Sequence, residues 1–270
     1  MGDSFACSSN GKVRVRATIW QNPSNIPPLD AGAIHLWQAN TLTLAHAVDA
    51  FAAVVAPDER ARGNAFHAPA DRMRHLVTRG VLRTLVGRYL ATSPSAVCFE
   101  VGTFGKPSVV SPLGARLTFN VSHSGDIVLL AFAREGELGV DVERWNPRLG
   151  EVERTRIGEN VFTRLERAAI ATLSSAADQE RAFYALWSRK EAYLKGTGAG
   201  ISAGLAHVEV SAGEDARLID DRRDPLARDR WTLRDIDVGP GYAAALASAL
   251  PDREVELLMA SLHLFDAGPT

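Results

Sequence analysis

Two carboxylates stand two residues apart in the segment Gly139-Val-Asp-Val-Glu143, and this spacing is the sharpest chemical signal in the sequence. On a β-strand alternate side chains share a face, so Asp141 and Glu143 point the same way while Val140 and Val142 face the core. Paired carboxylates repel unless a cation or hydrogen-bond donors lie between them, and hard oxygen ligands suit Mg²⁺ or Mn²⁺. The pattern therefore predicts a divalent-metal site, with a half-exposed strand whose acids face water as the alternative.

A further acid lies in the helical segment Trp187-Ser-Arg-Lys-Glu-Ala-Tyr-Leu-Lys195. Glu191 and Lys195 are four residues apart and so share one sector of the helix. We interpret Glu191 as a third metal ligand and Lys195 as a cation that faces phosphate. The alternative is a surface ion pair, which adds only about 0.3–0.5 kcal/mol to stability.

Two polar turns predict contacts with anions. In Asn120-Val-Ser-His-Ser-Gly125 we expect Ser122 and His123 to donate hydrogen bonds to phosphate oxygens, although a plain strand-to-strand turn uses similar residues. The G-x-S-x-G pattern is absent, so we reject a serine hydrolase triad. In Phe104-Gly-Lys-Pro107 a stiff turn presents Lys106 for gripping an anion. Other candidates for a phosphate clamp are Arg62, Arg79 and Arg83.

Hydrophobic periodicity predicts the elements that must position these side chains. Helices are expected to start at Pro57, to run from Pro69 to about Leu90, and to lie near 150–162, 164–173 and 179–195. Strands are expected at 33–39, 97–102, 117–122, 127–133, 138–143, 206–210, 231–238 and 242–249. The strands 127–133 and 138–143 are predicted to form a hairpin around Arg134–Glu137. The charged stretch 214–230 is predicted to be a solvated loop or hairpin tip.

This order of helices and strands favours an α+β fold over a doubly wound sheet. We divide the chain into an N-terminal tail or arm (1–30), an N-terminal half (31–135), a C-terminal half (136–262) and a C-terminal tail (263–270). The composition of the 270 residues is that of a soluble protein, with 46% hydrophobic residues and a formal net charge of −2. That charge offers no general field for nucleic acid or membranes. Two cysteines and the lack of a secretory signal favour the cytoplasm.

Five short motifs then occur in a characteristic order: Gly105–Pro107, Phe119–Gly125, Gly139–Glu143, Phe162–Glu166 and Trp187–Lys195. Together they resemble the 4′-phosphopantetheinyl transferase superfamily, in its long, surfactin-synthetase-activating branch. The family patterns are G-K-P, F-N-x-S-H-S-G, G-x-D-x-E, F-[ST]-x-x-E and W-[ST]-x-K-E-[AS]-x-x-K. The sequence departs from the family at Phe104, where Tyr is frequent, and at Ala65, where Arg is frequent.

The resemblance implies two similar α+β halves related by a pseudo-twofold, with coenzyme A bound in the cleft between them. It implies that Asp141, Glu143 and Glu191 hold Mg²⁺, or Mn²⁺, together with the coenzyme A pyrophosphate. Lys195 would stabilise the pyrophosphate and the departing group. The residues implied to contact the nucleotide and its 3′-phosphate are Arg62, Lys106 within the Gly105–Pro107 turn, Ser122 and His123. Because the cleft is complete within one chain, we expect a monomer.

The implied reaction moves 4′-phosphopantetheine from coenzyme A to a serine of an apo acyl or peptidyl carrier protein and releases 3′,5′-ADP. Glu191 directly, or a metal-bound water, is the candidate base, and Glu166 is the alternative. Carriers of polyketide, nonribosomal peptide and fatty-acid synthesis all fit. Because carrier helices are usually acidic, a basic docking surface is expected from Arg154, Arg156, Arg164 and Arg167.

Two other interpretations of the same residues remain open. A metal-dependent phosphohydrolase or nuclease would use the same carboxylates and would release phosphate or nucleotide without a carrier protein. A coenzyme A-binding or carrier-binding module that has lost turnover would not need Asp141, Glu143, Glu191 and Lys195 together.

Overall fold

The computed structural model describes residues 19–102, 106–111, 116–200, 204–250 and 253–266. The strands in this part of the chain are β1 (Ala33–Asn40), β2 (Cys98–Val101), β3 (Pro107–Ser111), β4 (Thr118–Ser124), β5 (Ile127–Ala133), β6 (Leu138–Arg144), β7 (Val208–Val210), β8 (Leu218–Asp221), β9 (Thr232–Asp235), β10 (Tyr242–Ser248) and β11 (Glu254–Met259). The helices are α1 (Val48–Val54), α2 (Pro57–Asn64), α3 (Pro69–Tyr89), α4 (Glu151–Val161), α5 (Arg164–Ala171), α6 (Ala176–Thr197), α7 (Ala227–Arg230) and α8 (His263–Asp266).

The first half is built on a four-stranded sheet in the order β11-β1-β5-β4. The long helix α3 buries its apolar stripe, which includes Val77, Val81 and Leu85, in one core with Trp37 and Phe132 of this sheet. The spacing of four residues along the helix places the stripe on one face, as the periodicity predicted. The predicted helix from Pro69 is therefore confirmed, with its end at Tyr89.

The second half repeats the combination of a long helix and an antiparallel sheet. Helix α6 packs against a three-stranded sheet in the order β6-β10-β9, and Leu194 shares a core with Ala245 and Ala247 of β10. Helix α6 ends at Thr197 and is capped by Gly198, whose φ of 71° is the left-handed conformation that glycine adopts at helix ends. The expected α+β architecture of two halves is confirmed.

The predicted hairpin between residues 127–133 and 138–143 is wrong. β5 pairs with β1 and β4, whereas β6 pairs with β10 in the other sheet. Leu129 and Ala131 of β5 instead share a core between the sheets with Val140 and Val142 of β6. The short polar segment Arg134–Glu137 suggested the hairpin, but it instead connects two sheets, and the apolar side chains of both strands pack between the halves.

The C-terminal segment crosses back to the first half. β11 runs parallel to β1, with Leu36 opposite Leu257, and Leu264 of α8 is buried in the core of the first half. At the other end of the chain, Gln21 forms a bridge with Leu258, so residues near the N-terminus lie along β11. The proposed division between residues 135 and 136 stays a prediction, and residues 254–266 pack with the first half.

The charged stretch 214–230, predicted as a loop or hairpin tip, contains β8 and α7. β8 pairs with β7, and Asp221 at its end accepts a hydrogen bond from the Tyr193 hydroxyl of α6. Asp221 also pairs with Arg223. Charged residues of this stretch therefore pair with each other inside a folded segment. A high content of charged residues does not by itself distinguish such a segment from a solvated loop. In the part of the chain that is described, no helix combines the length and apolar character needed to cross a bilayer.

Candidate active site

Strand β6 presents its two acids to helix α6. At Gly139 an added Cβ atom would lie 2.1 Å from the carbonyl oxygen of Ala192, so the strand approaches this helix as closely as a glycine permits. Because alternate residues share a face, Asp141 and Glu143 project toward the same helix. Glycine at position 139 is therefore required by close packing, and it brings the carboxylates to α6.

Lys195 of α6 meets Asp141 at the centre of the site. The Lys195 Nζ lies 2.5 Å from Asp141 Oδ1 and donates to Ser122 Oγ at 2.9 Å. The Ser122 hydroxyl in turn donates to Asp141 Oδ1 at 3.0 Å. Asp141 is 1% exposed, and burial raises its pKa while the ammonium of Lys195 opposes that rise. A strand of the first half, a strand of the second half and α6 thus converge on one carboxylate.

Glu191 lies beside this group and is 3% exposed. Burial raises its pKa to about 7, and the negative charge of Asp141 and then of Glu143 adds to the rise, whereas Lys195 opposes it. The pKa of Glu143 is likewise raised, by burial first and by Asp141 second. The negative charges of the three acids predicted from the sequence therefore interact, which indicates that the three side chains lie near one another.

The donor set fits a hard divalent cation. Among the described side chains, the buried oxygens without a hydrogen-bond partner include Asp141 Oδ2 and Glu191 Oε1, each on a predicted ligand. An unpaired buried carboxylate oxygen is costly, and a cation would satisfy it. Within the described ranges no three Asp, Glu, His or Cys side chains are already grouped closely enough to hold a metal ion. The ligand set therefore stays a prediction, and Lys195 partly neutralises the acids in this arrangement.

The Asn120–Ser124 segment of β4 is joined to β6 by side chains. Asn120 Oδ1 accepts from the backbone N–H of Val140 at 2.9 Å, and the hydroxyls of Ser122 and Ser124 accept from the next two alternate N–H groups of β6. Ser124 Oγ also donates to Glu143 Oε2 at 3.2 Å. Sequence reasoning found Ser122 but missed Asn120 and Ser124, although the period of two along β4 places all three on one face.

Ser122 has no hydrogen-bonding capacity left. Its hydroxyl donates to Asp141 and accepts from Lys195 and from the backbone of Val142, and a hydroxyl has one donor and two acceptor sites. Contact of Ser122 with phosphate stays a prediction, and it would require one of these bonds to be exchanged. His123, the next residue, is exposed, and partial desolvation, followed by the charge of Lys195, lowers the pKa of its imidazole.

Lys106 reaches across to the end of α6. Its ammonium donates to the carbonyl oxygen of Gly196 at 2.7 Å and is 3.4 Å from that of Leu138. This is a cation at a helix C-terminus, where exposed carbonyls favour positive charge. Pro107 begins β3, and Gly105 lies outside the described residues. Anion binding by this turn stays a prediction.

The arginine clamp predicted from Arg62, Arg79 and Arg83 divides into two groups. Arg79 and Arg83 both form ion pairs with the carboxylate of Glu59, and Arg83 also donates to the carbonyl oxygens of Pro94 and Val97. These two side chains fix α2 against α3. Arg62, one turn beyond Glu59 on α2, is exposed. Arg62 is therefore the member of the three that remains a candidate for ligand contact.

Glu166 lies in a separate, internal network. Its carboxylate is 2.5 Å from the Lys190 ammonium and accepts from the backbone N–H groups of Thr163 and Val210, each at 2.8 Å. The Thr163 hydroxyl accepts from the Glu166 N–H, which completes a capping box at the start of α5. These contacts account for Glu166 as a structural residue, and its predicted role as a base gains no support from them.

A cavity of about 620 Å³ opens at the end of β6. Its lining includes Trp145, Ala185, Pro240, Tyr242 and Ala243. Ala243 is the β10 partner of Glu143, and Trp145 follows that acid by two residues, so the cavity begins one strand away from the acidic site. The Trp145 ring stacks on Tyr184 of α6, which makes this wall rigid.

Two family descriptions match the chain in succession. Residues 36–135 match "4′-phosphopantetheinyl transferase, N-terminal", and residues 137–247 match "4′-phosphopantetheinyl transferase superfamily". The 4′-phosphopantetheinyl transferase HetI of Nostoc sp. is 33% identical over 230 residues, which are 84% of this chain and 92% of that protein. The chain belongs to the 4′-phosphopantetheinyl transferase superfamily.

Two other relatives support the assignment of the chain to this superfamily. The 4′-phosphopantetheinyl transferase Sfp of Bacillus subtilis is 28% identical over 211 residues, which are 78% of this chain and 89% of that protein. A Synechocystis sp. protein, slr0495, is 35% identical over 161 residues, which are 60% of this chain and 64% of that protein. The boundary between the two family matches falls just before β6. The first match therefore contains β4, and the second contains β6 and α6, so the candidate site is formed by both.

Proposed function

We propose that the enzyme transfers 4′-phosphopantetheine from coenzyme A to a serine of an apo acyl or peptidyl carrier protein and releases 3′,5′-ADP in a Mg²⁺-dependent reaction. The observation that carries this proposal is the meeting of Asp141, Glu191 and Lys195 between the two halves, with buried carboxylate oxygens left without partners. An anion that is itself doubly charged, such as a pyrophosphate, needs a cation to enter a site lined with acids.

Asp141, Glu143 and Glu191 are the residues that would hold Mg²⁺, with Mn²⁺ as a substitute of the same ligand preference. When bound, the metal would supply positive charge to the pyrophosphate and to the oxygen on which negative charge develops. Lys195 adds a fixed cation at the same place. Its ammonium is held between Asp141 and Ser122, so it is oriented before substrate binds, and orientation in advance is the main source of electrostatic catalysis.

Glu191 is our candidate for the residue that accepts the proton of the carrier serine. Its Oε1 is buried beside Lys195 and has no partner among the described groups, so this oxygen is free to accept a proton. Glu166, the alternative, has its carboxylate engaged by Lys190, Thr163 and Val210. A group already bound to three donors is a poor acceptor for a substrate proton.

The nucleotide part of coenzyme A is assigned to the first half. The supporting observations are the exposed Arg62 and His123 and the ammonium of Lys106 at the C-terminal end of α6. The pantetheine arm is assigned to the cavity beside Glu143, because aromatic and apolar walls such as Trp145 and Tyr242 suit a long, uncharged chain. With this division, the pyrophosphate that joins the nucleotide to the pantetheine arm would lie between the first half and the cavity, beside the acidic site.

The carrier protein is assigned to the surface of α4 and α5. Val152 is 83% exposed and Leu165 is 63% exposed, and both lie near the exposed Arg156 and Arg164. Val152 is flanked by the exposed acids Glu151 and Glu153, and the proposal rests on Arg156 and Arg164, whose charges beside exposed apolar groups suit an acidic amphipathic helix of a partner. Arg154 was also expected in this basic surface, but its guanidinium is bound to Glu180 and to the carbonyl oxygen of Leu149.

Intact-mass spectrometry tests the proposed function directly. The enzyme is incubated with coenzyme A, Mg²⁺ and a panel of apo-carrier proteins from fatty-acid, polyketide and nonribosomal peptide synthesis. A gain of about 340 Da on a carrier, the mass of the phosphopantetheinyl group, supports transfer. Release of nucleotide or phosphate from coenzyme A without any mass gain would instead favour a phosphohydrolase, and coenzyme A binding without either product would favour an inactive module.

A further inference from the structure

Strands β4 and β6 lie side by side across the boundary between the two halves, yet their backbones do not form a ladder. The N–H groups of Val140, Val142 and Arg144 donate to side-chain oxygens of Asn120, Ser122 and Ser124 at 2.9, 3.3 and 3.0 Å. Alternate N–H groups of a strand point to the same edge, and alternate side chains of its neighbour share a face. Three side chains thus replace the carbonyl groups of a missing backbone partner.

The two serines of this side-chain ladder do more than accept. Ser122 accepts from the N–H of Val142 and donates to the carboxylate of Asp141. Ser124 repeats the arrangement one step along, accepting from Arg144 and donating to Glu143 at 3.2 Å. Each hydroxyl therefore binds the backbone of β6 and, at the same time, the acid one residue earlier. The carboxylates are aimed by the same atoms that hold the strand.

We propose that Asn120, Ser122 and Ser124 are positioning residues that set the direction of Asp141 and Glu143 toward the cation. This inference rests on the proposed function and assigns a role to Ser124. Groups that hydrogen-bond to metal-binding carboxylates fix the ligand geometry and strengthen cation binding.

The turn that follows the ladder keeps the same two halves in contact. Gly125 has a φ of 56°, and a Cβ atom there would lie 2.6 Å from Arg144 Cδ and 2.7 Å from the Tyr242 hydroxyl. The backbone N–H of Asp126 is 3.4 Å from that hydroxyl. The second half therefore presses on the β4–β5 turn directly beyond Ser124, which fixes the end of the ladder.

Ser124 gives the sharpest test because its hydroxyl bonds to Glu143 and to the backbone of Arg144, whereas the Ser122 hydroxyl is also bound to Lys195. The variants Ser124→Ala and Ser124→Thr differ in the hydroxyl, which threonine keeps in a side chain well suited to a strand. Ser211→Ala is the matched control. Its hydroxyl likewise accepts from a backbone N–H, that of Arg217 at 2.9 Å, and donates to a carbonyl oxygen, that of Asp215, but in the β7–β8 hairpin.

Mn²⁺ binding is measured by isothermal titration calorimetry in the absence of coenzyme A, and transfer kinetics are measured in parallel. We expect Ser124→Ala to weaken Mn²⁺ binding about tenfold, and Ser124→Thr and Ser211→Ala to stay within about twofold of the wild type. Binding of 3′,5′-ADP without metal should be unchanged in all three, which confirms that the protein is folded.

Two results would overturn the inference while leaving the proposed function in place. The first is wild-type Mn²⁺ affinity in Ser124→Ala, and the second is an equal loss in Ser211→Ala, which would mark a general effect of removing a hydroxyl that bonds to the backbone. A wild-type protein that neither binds Mn²⁺ nor transfers phosphopantetheine would overturn the proposed function, and the inference with it.

Discussion

Lys190 and Glu166 form an ion pair in the interior of the second half, with the ammonium 2.5 Å from the carboxylate and both residues at most 2% exposed. The ammonium also donates to the carbonyl oxygens of Val161 and Leu205. These bonds tie α6 to the end of α4, to α5 and to the segment before β7. Glu191 follows Lys190 directly, so the ion pair that fixes α6 lies next to a proposed metal ligand.

Breaking this pair from one side is expected to be costly. Lys190→Met should lower the free energy of unfolding by about 3–5 kcal/mol, because it leaves the Glu166 carboxylate buried without its cation. The double variant Lys190→Met/Glu166→Leu should recover part of this loss, since no unpaired charge remains. Urea unfolding of both proteins measures the difference. Equal destabilisation in the single and double variants would contradict the ion-pair explanation.

The roles of Glu166 and Glu191 are expected to separate by measurement. Glu191→Gln should abolish phosphopantetheine transfer while the protein stays folded, because it removes the partnerless carboxylate beside Asp141. Glu166→Gln should mainly lower the urea midpoint, because it weakens the bond to Lys190. Transfer is measured by intact mass and is normalised to the folded fraction from circular dichroism. Wild-type transfer by Glu191→Gln, or by Asp141→Ala, would refute the assigned site.

Asn120→Ala is expected to destabilise the contact between the halves. The substitution leaves the Val140 N–H without an acceptor at a position where Asn120 itself is 5% exposed. An unsatisfied buried donor costs about 1–3 kcal/mol. Chemical denaturation quantifies the loss, and Asn160→Ala, which removes an exposed side chain from α4, is the control. An Asn120→Ala protein as stable as the wild type would mean that water replaces the missing oxygen.

His35 predicts a loss of stability in mild acid. Its ring is fully buried, its Nδ1 is 2.7 Å from the Tyr89 hydroxyl, and that hydroxyl accepts from Trp37 Nε1. The His35 Nδ1 is thus bonded to Tyr89, while Nε2 is buried without a hydrogen-bond partner, and such a ring favours the neutral form. Burial lowers the pKa of His35 from 6.5 to about 4; among the nearby charges, Asp30 opposes the shift and Arg134 adds to it.

The sign follows from proton binding. Between pH 6.5 and 4 the unfolded chain binds a proton that the folded protein excludes, so stability falls as the pH falls. At pH 5 the loss relative to pH 7.5 should be about 2 kcal/mol from this group. Urea unfolding of the wild type and of His35→Gln at both pH values isolates the contribution. The nearby Glu256, 3.6 Å from Nε2, would reduce the effect if it paired with the charged ring, and an unchanged difference between the proteins would refute the prediction.

Charge reversal on α4 and α5 tests the proposed docking surface. Arg156→Glu combined with Arg164→Glu should raise the KM for an acidic carrier protein about tenfold, because attraction becomes repulsion at the rim of the interface. The affinity for coenzyme A should stay unchanged. Steady-state kinetics with each substrate varied in turn distinguish the two. Arg228→Glu, an exposed change on α7, is the control, and an unchanged carrier KM in the double variant would remove this surface from the proposal.

The sequence by itself determined the family and most of the local structure. The Asp-Val-Glu alternation gave the direction of two carboxylates, the four-residue spacing gave the common face of Glu191 and Lys195, and proline and apolar periodicity gave α2 and α3. These features depend on the geometry of a single strand or helix, which has a fixed period. The order of the motifs also sufficed to indicate the family.

Only the tertiary structure decided how these pieces meet. It separated β5 from β6, placed β11 beside β1, and paired Glu166 with Lys190. It also showed that Asn120 and Ser124 face β6. The sequence of an apolar strand does not specify which strand it pairs with. Nor does the presence of a Glu or Asp in the sequence show whether its buried carboxylate contacts a lysine or a ligand. Such pairings are set by packing between distant segments, which no local period encodes.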